Sequence, residues 1–278
     1  MSASHRIGVV AAALLGVAFA GPTAAATLDG MDIHSSSAGT GPTIVFVHGW
    51  TCDSSSWDAQ VPAFAKDHRV LTLDLPGHGR SGSPKDGKLS MDLFARAVEA
   101  VRAESGAERI VLVGHSMGAP VIRQYAHLYP ERVAGLVAVD GPLDLRAFGE
   151  LPPGFPPPMT GPEGRTAREG MIRSMFIAET PAPLQDKIMK MMLGAPEATA
   201  VGAMSAMFDP AIRWTDVTPT PALSVYAGTA NVPPAATTKE LYPNHDATQV
   251  AGTGHFLMME KPAEFNRLLA GFLDKIDF

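Results

Sequence analysis

Residues Ile110–Gly118 have the sequence IVLVGHSMG, an apolar run followed by a Gly-x-Ser-x-Gly pattern. The run IVLV is apolar on both faces, which is typical of a strand in a parallel sheet that helices cover on each side. Gly114 and Gly118 flank Ser116 at two residues' distance, and a helical segment follows. The pattern therefore predicts a sharp strand-to-helix turn with Ser116 at its tip, where N–H groups of the helix N-terminus can stabilise an oxyanion.

Outward from this turn, short apolar runs alternate with helical stretches. The predicted strands are Thr43–Val47, Arg69–Leu73, Arg109–Val113, Val133–Val139, Leu223–Tyr226 and Thr248–Ala251. The predicted helices are Met91–Ser105, Met117–Tyr129 and Pro262–Lys275. This alternation predicts a doubly wound α/β fold with a mostly parallel sheet, whose chemistry lies at the carboxyl ends of the strands.

Three more segments accompany GHSMG in a fixed order along the chain. They are VFVHGW (Val45–Trp50), LDLPGHGRSG (Leu73–Gly82) and GTGHFLMMEKP (Gly252–Pro262). In this combination the sequence resembles the α/β-hydrolase superfamily of the capped type, over most of Thr27–Phe278. The resemblance implies an α/β core of residues 27–141 and 217–278, with an inserted, mainly helical cap at residues 142–216.

His255 is the candidate base that activates Ser116, because a serine is a poor nucleophile until a base removes its proton. It lies between a strand-like run and the last helix, and it matches the family's late G-x-x-G-H position. The other histidines of the mature chain are expected to have structural roles. Surface or packing roles are expected of His34, His68, His127 and His245, and support of motif loops is expected of His48, His78 and His115.

The third triad member is where the sequence departs from the common family pattern. Many relatives carry the acid in a G-x-x-D stretch after the strand that corresponds to Leu223–Tyr226, but here that stretch ends in Asn231. Some family members place the acid one strand earlier, and Asp140 occupies that position directly after VAV. Asp140 is therefore the predicted acid. The alternatives left open are Asp144, Asp209 or Asp216 as the acid, or Asn231 as a weak substitute that cannot stabilise an imidazolium.

An oxyanion hole needs two donors that converge on one point. The predicted donors are the backbone N–H groups of Met117, just after the nucleophile, and of Trp50, after His48-Gly49. Cys52 lies two residues beyond Trp50, but neither a base nor a helix N-terminus that would activate a thiol is visible beside it. Cys52 is therefore interpreted as a small buried residue that lines or supports the pocket.

The predicted cap begins with a proline-rich stretch that excludes regular helix, and three predicted helices follow it. The prolines are Pro152, Pro153, Pro156, Pro157, Pro158 and Pro162, and the helices are Arg165–Ala178, Leu184–Leu193 and Glu197–Phe208. Eight of the 14 methionines fall in this segment. Methionine pairs at helical spacing either pack the cap onto the core or line a substrate pocket that tolerates different shapes. The residues proposed for the pocket are Met171, Met175, Met204, Met207 and Met258.

Composition and the first residues exclude several classes of protein. With 22 Lys+Arg, 28 Asp+Glu and a net charge of −6, the chain has no electrostatic footprint for nucleic acid. A single cysteine excludes an internal disulfide scaffold and a cysteine-rich zinc site. Residues 1–26 have the layout of a signal peptide with cleavage before Thr27, which predicts an exported chain, periplasmic or secreted, with no stable membrane anchor after cleavage.

Together these features predict a serine hydrolase that cleaves carboxylic esters of small molecules through an acyl-enzyme, with an apolar pocket under the cap. No cofactor or metal is implied, since the sequence contains no H-E-x-x-H or P-loop motif. Lactones, amides and cofactor-free perhydrolase or haloperoxidase chemistry use the same machinery and stay open. A non-catalytic ligand-binding module is the alternative from a different class.

Overall fold

Eight strands form one sheet in the computed structural model of the protein, which describes residues 25–148, 157–212 and 215–278. The strands are β1 (Ala25–Leu28), β2 (Met31–Ala38), β3 (Thr43–Val47), β4 (Arg69–Leu73), β5 (Ile110–His115), β6 (Val133–Val139), β7 (Ala222–Ala227) and β8 (His245–Val250). Their order is β1-β2-β4-β3-β5-β6-β7-β8. Only the pairs β1–β2 and β2–β4 are antiparallel, so the predicted mostly parallel sheet is confirmed.

Helices connect the strands, as the predicted α/β alternation requires. Within the described ranges they are α1 (Val61–Phe64), α2 (Met91–Ser105), α3 (Gly118–Leu128), α4 (Gly161–Arg173), α5 (Ala182–Gly194), α6 (Glu197–Met207), α7 (Ala235–Leu241), α8 (Leu257–Glu260) and α9 (Pro262–Leu273). Helix α2 shows why the bounds lie where they do. The Ser90 side chain accepts a hydrogen bond from Leu93 N–H at its start, and Gly106 ends it in the left-handed conformation.

The centre of the sheet agrees with the sequence prediction, whereas its antiparallel edge was missed. Strand β5 lies between β3 and β6 and is buried along its whole length, as an apolar run in a doubly covered sheet should be. Strand β2 contains three consecutive serines, Ser35–Ser37, and only its first half alternates clearly between buried and exposed residues. The period-2 signal is therefore weak there, and nothing in the apolar runs predicts this strand.

Helices α4, α5 and α6 form the insertion between β6 and β7, which confirms its mainly helical character. Two details of the prediction are wrong. Pro162 lies in the first turn of α4, where the missing N–H of a proline leaves no helical hydrogen bond unmade. Helix α4 also ends at Arg173, so Met175 does not share a helical face with Met171.

Several sequence predictions fall outside the described residues. They concern the leader, of which residues 1–24 are not described, and Pro152, Pro153 and Pro156 of the proline-rich stretch. The predicted cleavage point before Thr27 falls within strand β1. In the part of the chain that is described, no helix combines the length and the apolar character needed to cross a membrane.

Candidate active site

Ser116 directly follows β5 and has a φ of +52°, in the left-handed region. Its N–H donates to Val139 O at 2.9 Å, and its carbonyl accepts from Ala119 N–H at 2.9 Å. Gly118 has no room for a side chain, because a Cβ there would lie 2.5 Å from Val47 O. A side chain at residue 118 would therefore prevent the turn from packing this closely on β3. Ser116 itself is half-exposed among buried neighbours.

Asp140 and His255 are hydrogen-bonded, with Nδ1 of the imidazole 2.6 Å from Oδ2 of the carboxylate. The other oxygen, Oδ1, accepts the backbone N–H of Ala227 at 2.8 Å. Burial raises the pKa of Asp140, but the hydrogen bonds from His255 and Ala227 outweigh it and hold the pKa below its ordinary value. The carboxylate is thus ionised and oriented toward the imidazole, as the sequence-based assignment expects, although the catalytic role itself stays a prediction.

The other aspartates considered as the triad acid form hydrogen bonds or ion pairs with groups other than His255. Asp144 pairs with Arg146, Asp209 accepts from Ala211 N–H, and Asp216 pairs with Arg123. Asn231 lines a separate cavity of about 440 Å³, together with Asp144 and Arg146. The structure therefore brings only Asp140, of the acids considered, into contact with the predicted base among the described residues.

His115 lies beside the predicted base, with its ring centroid 4.7 Å from that of His255. Its Nε2 lies 2.8 Å from His255 O and donates to it. Burial, and then repulsion from His255, lowers the pKa of His115 to about 3. A neutral, buried imidazole with its N–H committed to a carbonyl supports the loop and is a poor general base.

The loop after β3 carries the second predicted oxyanion donor. His48 holds this loop, since its Nε2 accepts Leu75 N–H at 2.9 Å and its Nδ1 donates to Gly49 O at 2.9 Å. Within the described ranges, the N–H groups of Trp50 and Met117 donate no hydrogen bond. An oxyanion hole needs uncommitted N–H groups, and the role of these two as its donors stays a prediction.

Cys52 is buried in the same loop, where its N–H donates to Gly49 O at 3.2 Å. Burial, with repulsion from Asp53 as the next cause, raises the pKa of the Cys52 thiol to about 12. The thiol is therefore protonated at neutral pH and is not a nucleophile. This agrees with the supporting role that the sequence predicted for it.

The predicted pocket methionines lie mainly in packed positions. Met204 and Met258 are buried in the hydrophobic core, while Met171, Met175 and Met207 are partly buried against it. A cavity of about 1040 Å³ opens between β2, α1 and the end of α5, but its only methionine among the described residues is Met191, and Ser116 does not line it. The packing interpretation accounts for these positions, and a pocket role for the five stays a prediction.

Glu260 is a residue that the sequence reasoning missed. Its carboxylate accepts the N–H of Gly254, the residue before His255, at 2.7 Å. The only available signal was its place within the late motif GTGHFLMMEKP, where a carboxylate five residues after the histidine has no role in the predicted triad. Among the described residues, no group of three His, Cys, Asp or Glu side chains is arranged to hold a metal ion.

Comparison with known proteins identifies the family to which this fold and site correspond. The family model described as the alpha/beta hydrolase fold matches residues 42–192, more than half of the chain. The protein belongs to the α/β hydrolase family.

The names of individual relatives and solved structures describe different activities. The chain is 30% identical to the dihydrolipoyllysine-residue acetyltransferase component of the acetoin cleaving system of Cupriavidus necator, over 88% of this chain and 67% of that protein. It is 26% identical to a putative esterase/lipase of Haemophilus influenzae, over 84% of each chain. The solved structure of an N-acyl homoserine lactone degrading enzyme is 27% identical to this chain, with a TM-score of 0.76. The match covers 90% of this chain and 100% of that enzyme's chain.

Proposed function

We propose that the protein is a serine hydrolase that cleaves carboxylic esters, with Ser116 as nucleophile, His255 as base and Asp140 as acid. The observation that carries the proposal is the 2.6 Å hydrogen bond between His255 Nδ1 and Asp140 Oδ2, beside a serine held at the tip of a strand-to-helix turn. Since Nδ1–H donates to the carboxylate, Nε2 carries the lone pair that accepts a proton.

The proposed reaction assigns one step to each of these groups. Nε2 of His255 takes the proton of Ser116 as Oγ attacks the ester carbonyl, and Asp140 stabilises the imidazolium that forms. The N–H groups of Trp50 and Met117 stabilise the oxyanion of the tetrahedral intermediate. The intermediate then collapses, and the leaving alkoxide takes the proton from Nε2. Water, activated by the same nitrogen, attacks the acyl-enzyme and releases the acid.

The relatives support the substrate class at a coarse level, because their names mention an esterase/lipase, a lactone degrading enzyme and an acetyltransferase component, and esters, lactones and acetyl groups all contain an acyl carbonyl. Esters are the leading class. Lactones are the second candidate, since the 27% identical lactone degrading enzyme covers 90% of this chain. A lactone is a cyclic ester, so the same three residues would open it.

The test is a panel of p-nitrophenyl esters of increasing acyl length, together with N-acyl homoserine lactones, against wild type and Ser116→Ala. We expect Ser116→Ala to lose activity by roughly 10⁴-fold or more, because the nucleophile and its base act as a unit. Ser105→Ala, which removes a hydroxyl at the end of α2, should behave as wild type.

A fluorophosphonate probe should label wild type and Ser105→Ala but not Ser116→Ala. Equal turnover by wild type and Ser116→Ala would contradict the assignment of the nucleophile. Ligand binding without turnover of any ester or lactone would favour the non-catalytic alternative.

A further inference from the structure

The chain between α4 and α5 lies directly against the loop that carries His255. The N–H of His255 donates to Met175 O at 3.0 Å. The rings of Phe176 and Phe256 follow on each side, with centroids 6.5 Å apart. Gly254 leaves room for this contact, because a Cβ there would lie 2.6 Å from Met175 O. The segment between these two inserted helices thus supplies a hydrogen-bond acceptor to the backbone of the predicted base.

The carboxylate of Glu260 forms a second connection between the His255 loop and the insertion. Oε2 accepts Gly254 N–H at 2.7 Å, and Oε1 accepts the hydroxyl of Thr180 at 3.1 Å. Thr180 is buried, and its Oγ1 in turn accepts Ile177 N–H at 3.1 Å. One carboxylate therefore links the backbone beside His255 to the backbone of the insertion. Each donor in this series of hydrogen bonds has an acceptor.

The position of Glu260 is itself fixed by short-range contacts. Its N–H donates to Phe256 O at 2.9 Å, within the single turn of α8. The next residue, Lys261, donates through Nζ to Ala251 O at 2.6 Å. The loop around His255 is therefore closed by side chains that follow it, and the insertion attaches to that closed loop.

We propose that Glu260 and Thr180 are positioning residues that hold His255 in its hydrogen bond with Asp140 by tying the His255 loop to the insertion. The proposal rests on the proposed function, in which His255 is the base. It implies that the insertion contributes directly to the geometry of proton transfer: when residues 175–180 move away, His255 N–H loses its acceptor, Met175 O, and Glu260 Oε1 loses the Thr180 hydroxyl that orients its carboxylate.

The chain offers matched substitutions for each member of the link. Glu260→Met keeps the length of the side chain but leaves Gly254 N–H without an acceptor. Glu260→Gln keeps an oxygen for Gly254 N–H and can donate its amide N–H to Thr180 Oγ1. Thr180→Val removes the hydroxyl, whereas Thr180→Ser retains it.

The first measurement is steady-state hydrolysis of the best p-nitrophenyl ester. We expect Glu260→Met and Thr180→Val to lower kcat by ~10- to 100-fold with KM changed less than about twofold, since a displaced base affects proton transfer more than binding. Glu260→Gln and Thr180→Ser should keep most of the rate. Glu169→Met, which removes the carboxylate paired with Arg173 elsewhere on α4, is the control and should resemble wild type.

The second measurement does not depend on turnover. The Nδ1 proton between His255 and Asp140 should give a far-downfield proton resonance in wild type, Glu260→Gln and Glu169→Met. It should broaden or vanish in Glu260→Met and Thr180→Val. If wild type proves to hydrolyse no ester, the proposed function fails, but this resonance still tests the positioning role.

The proposal is overturned if Glu260→Met and Thr180→Val lower the melting temperature while kcat and the downfield resonance stay as in wild type. Glu260 and Thr180 would then stabilise the fold without positioning the base. If Glu260→Met does not fold, the contrast between Thr180→Val and Thr180→Ser decides the question alone.

Discussion

Three non-glycine residues beside the proposed site have left-handed backbone conformations. They are Thr51, Ser116 and Asp140, with φ values of +53°, +52° and +45°. This region is unfavourable for L-amino acids, most of all for a β-branched residue such as Thr51. Backbone strain of this kind persists only where the surrounding structure enforces it, and it concentrates at functional sites. Ser116 and Asp140 each directly follow a buried strand, so the strain accompanies the placement of their side chains at the sheet edge.

Asp140→Asn should lower kcat by roughly 10⁴-fold, the loss seen when the triad acid of a serine protease is made neutral. Asparagine can place an N–H rather than an acceptor toward Nδ1, so the imidazole is held in the wrong tautomer and its cation is not stabilised. The measurement is kcat for a p-nitrophenyl ester. Asn231→Ala is the matched comparison and should cost far less, and the reverse ranking would show that Asn231 orients the base instead.

At the scale of elements, the site depends on how closely helix α3 approaches strand β3. Gly118 begins α3, and its Cα faces the carbonyl of Val47 at the end of β3. This contact places the tip of the Ser116 turn next to the loop of Trp50, since a Cβ at Gly49 would lie 3.1 Å from Ser116 Cβ. If Trp50 and Met117 are the oxyanion donors, as proposed, a side chain between α3 and β3 would push the two loops that carry them apart.

Gly118→Ala should impair both folding and activity, because its Cβ would meet backbone that cannot move aside cheaply. We expect a lower urea midpoint and a fall in kcat in the fraction that folds. Gly170→Ala is the control within helix α4, where a new Cβ would meet nothing within 4 Å. The control should be neutral or stabilising by up to ~1 kcal/mol, since alanine is the better helix former. An equal effect of the two substitutions would refute the packing argument.

At the scale of the whole molecule, the buried histidines set the response to acid. Burial is the largest cause that lowers the pKa of His78 and of His115 to about 3, and it also lowers the pKa of His48. In the unfolded chain these groups take up a proton near their ordinary pKa of 6.5. The unfolded state therefore binds more protons below that pH, and the stability present above pH 6.5 is lost as the pH falls toward 3.

Urea unfolding measured between pH 7.5 and pH 4.5 checks this expectation. Each buried histidine should lower the free energy of unfolding by up to ~1.4 kcal/mol per pH unit below its unfolded pKa. Asp140 acts in the same direction, but only at more acidic pH, because its pKa lies below the ordinary value of 3.8. A free energy of unfolding that does not change over this range would contradict the neutral, buried state of these histidines.

Features that depend on near neighbours in the chain could be predicted from the amino-acid sequence. The apolar run of β5 and the glycines around Ser116 specify a buried strand and a sharp turn within nine residues, Ile110–Gly118. The alternation of strands and helices, which is also a pattern of neighbouring residues, specifies the parallel sheet. Where the local signal is weak, as in serine-rich β2, or where a helix ends early, as α4 does before Met175, the prediction failed.

Contacts between residues that are distant in the chain required the folded structure. Asp140 and His255 are 115 positions apart, and Asp140 was one of several acids until packing of β6 against β7 placed it at the imidazole. Glu260 and Thr180 are 80 positions apart, and no local pattern pairs them. Such contacts depend on the relative placement of whole elements, which results from burial of many side chains together, and a reading of neighbouring residues cannot supply that information.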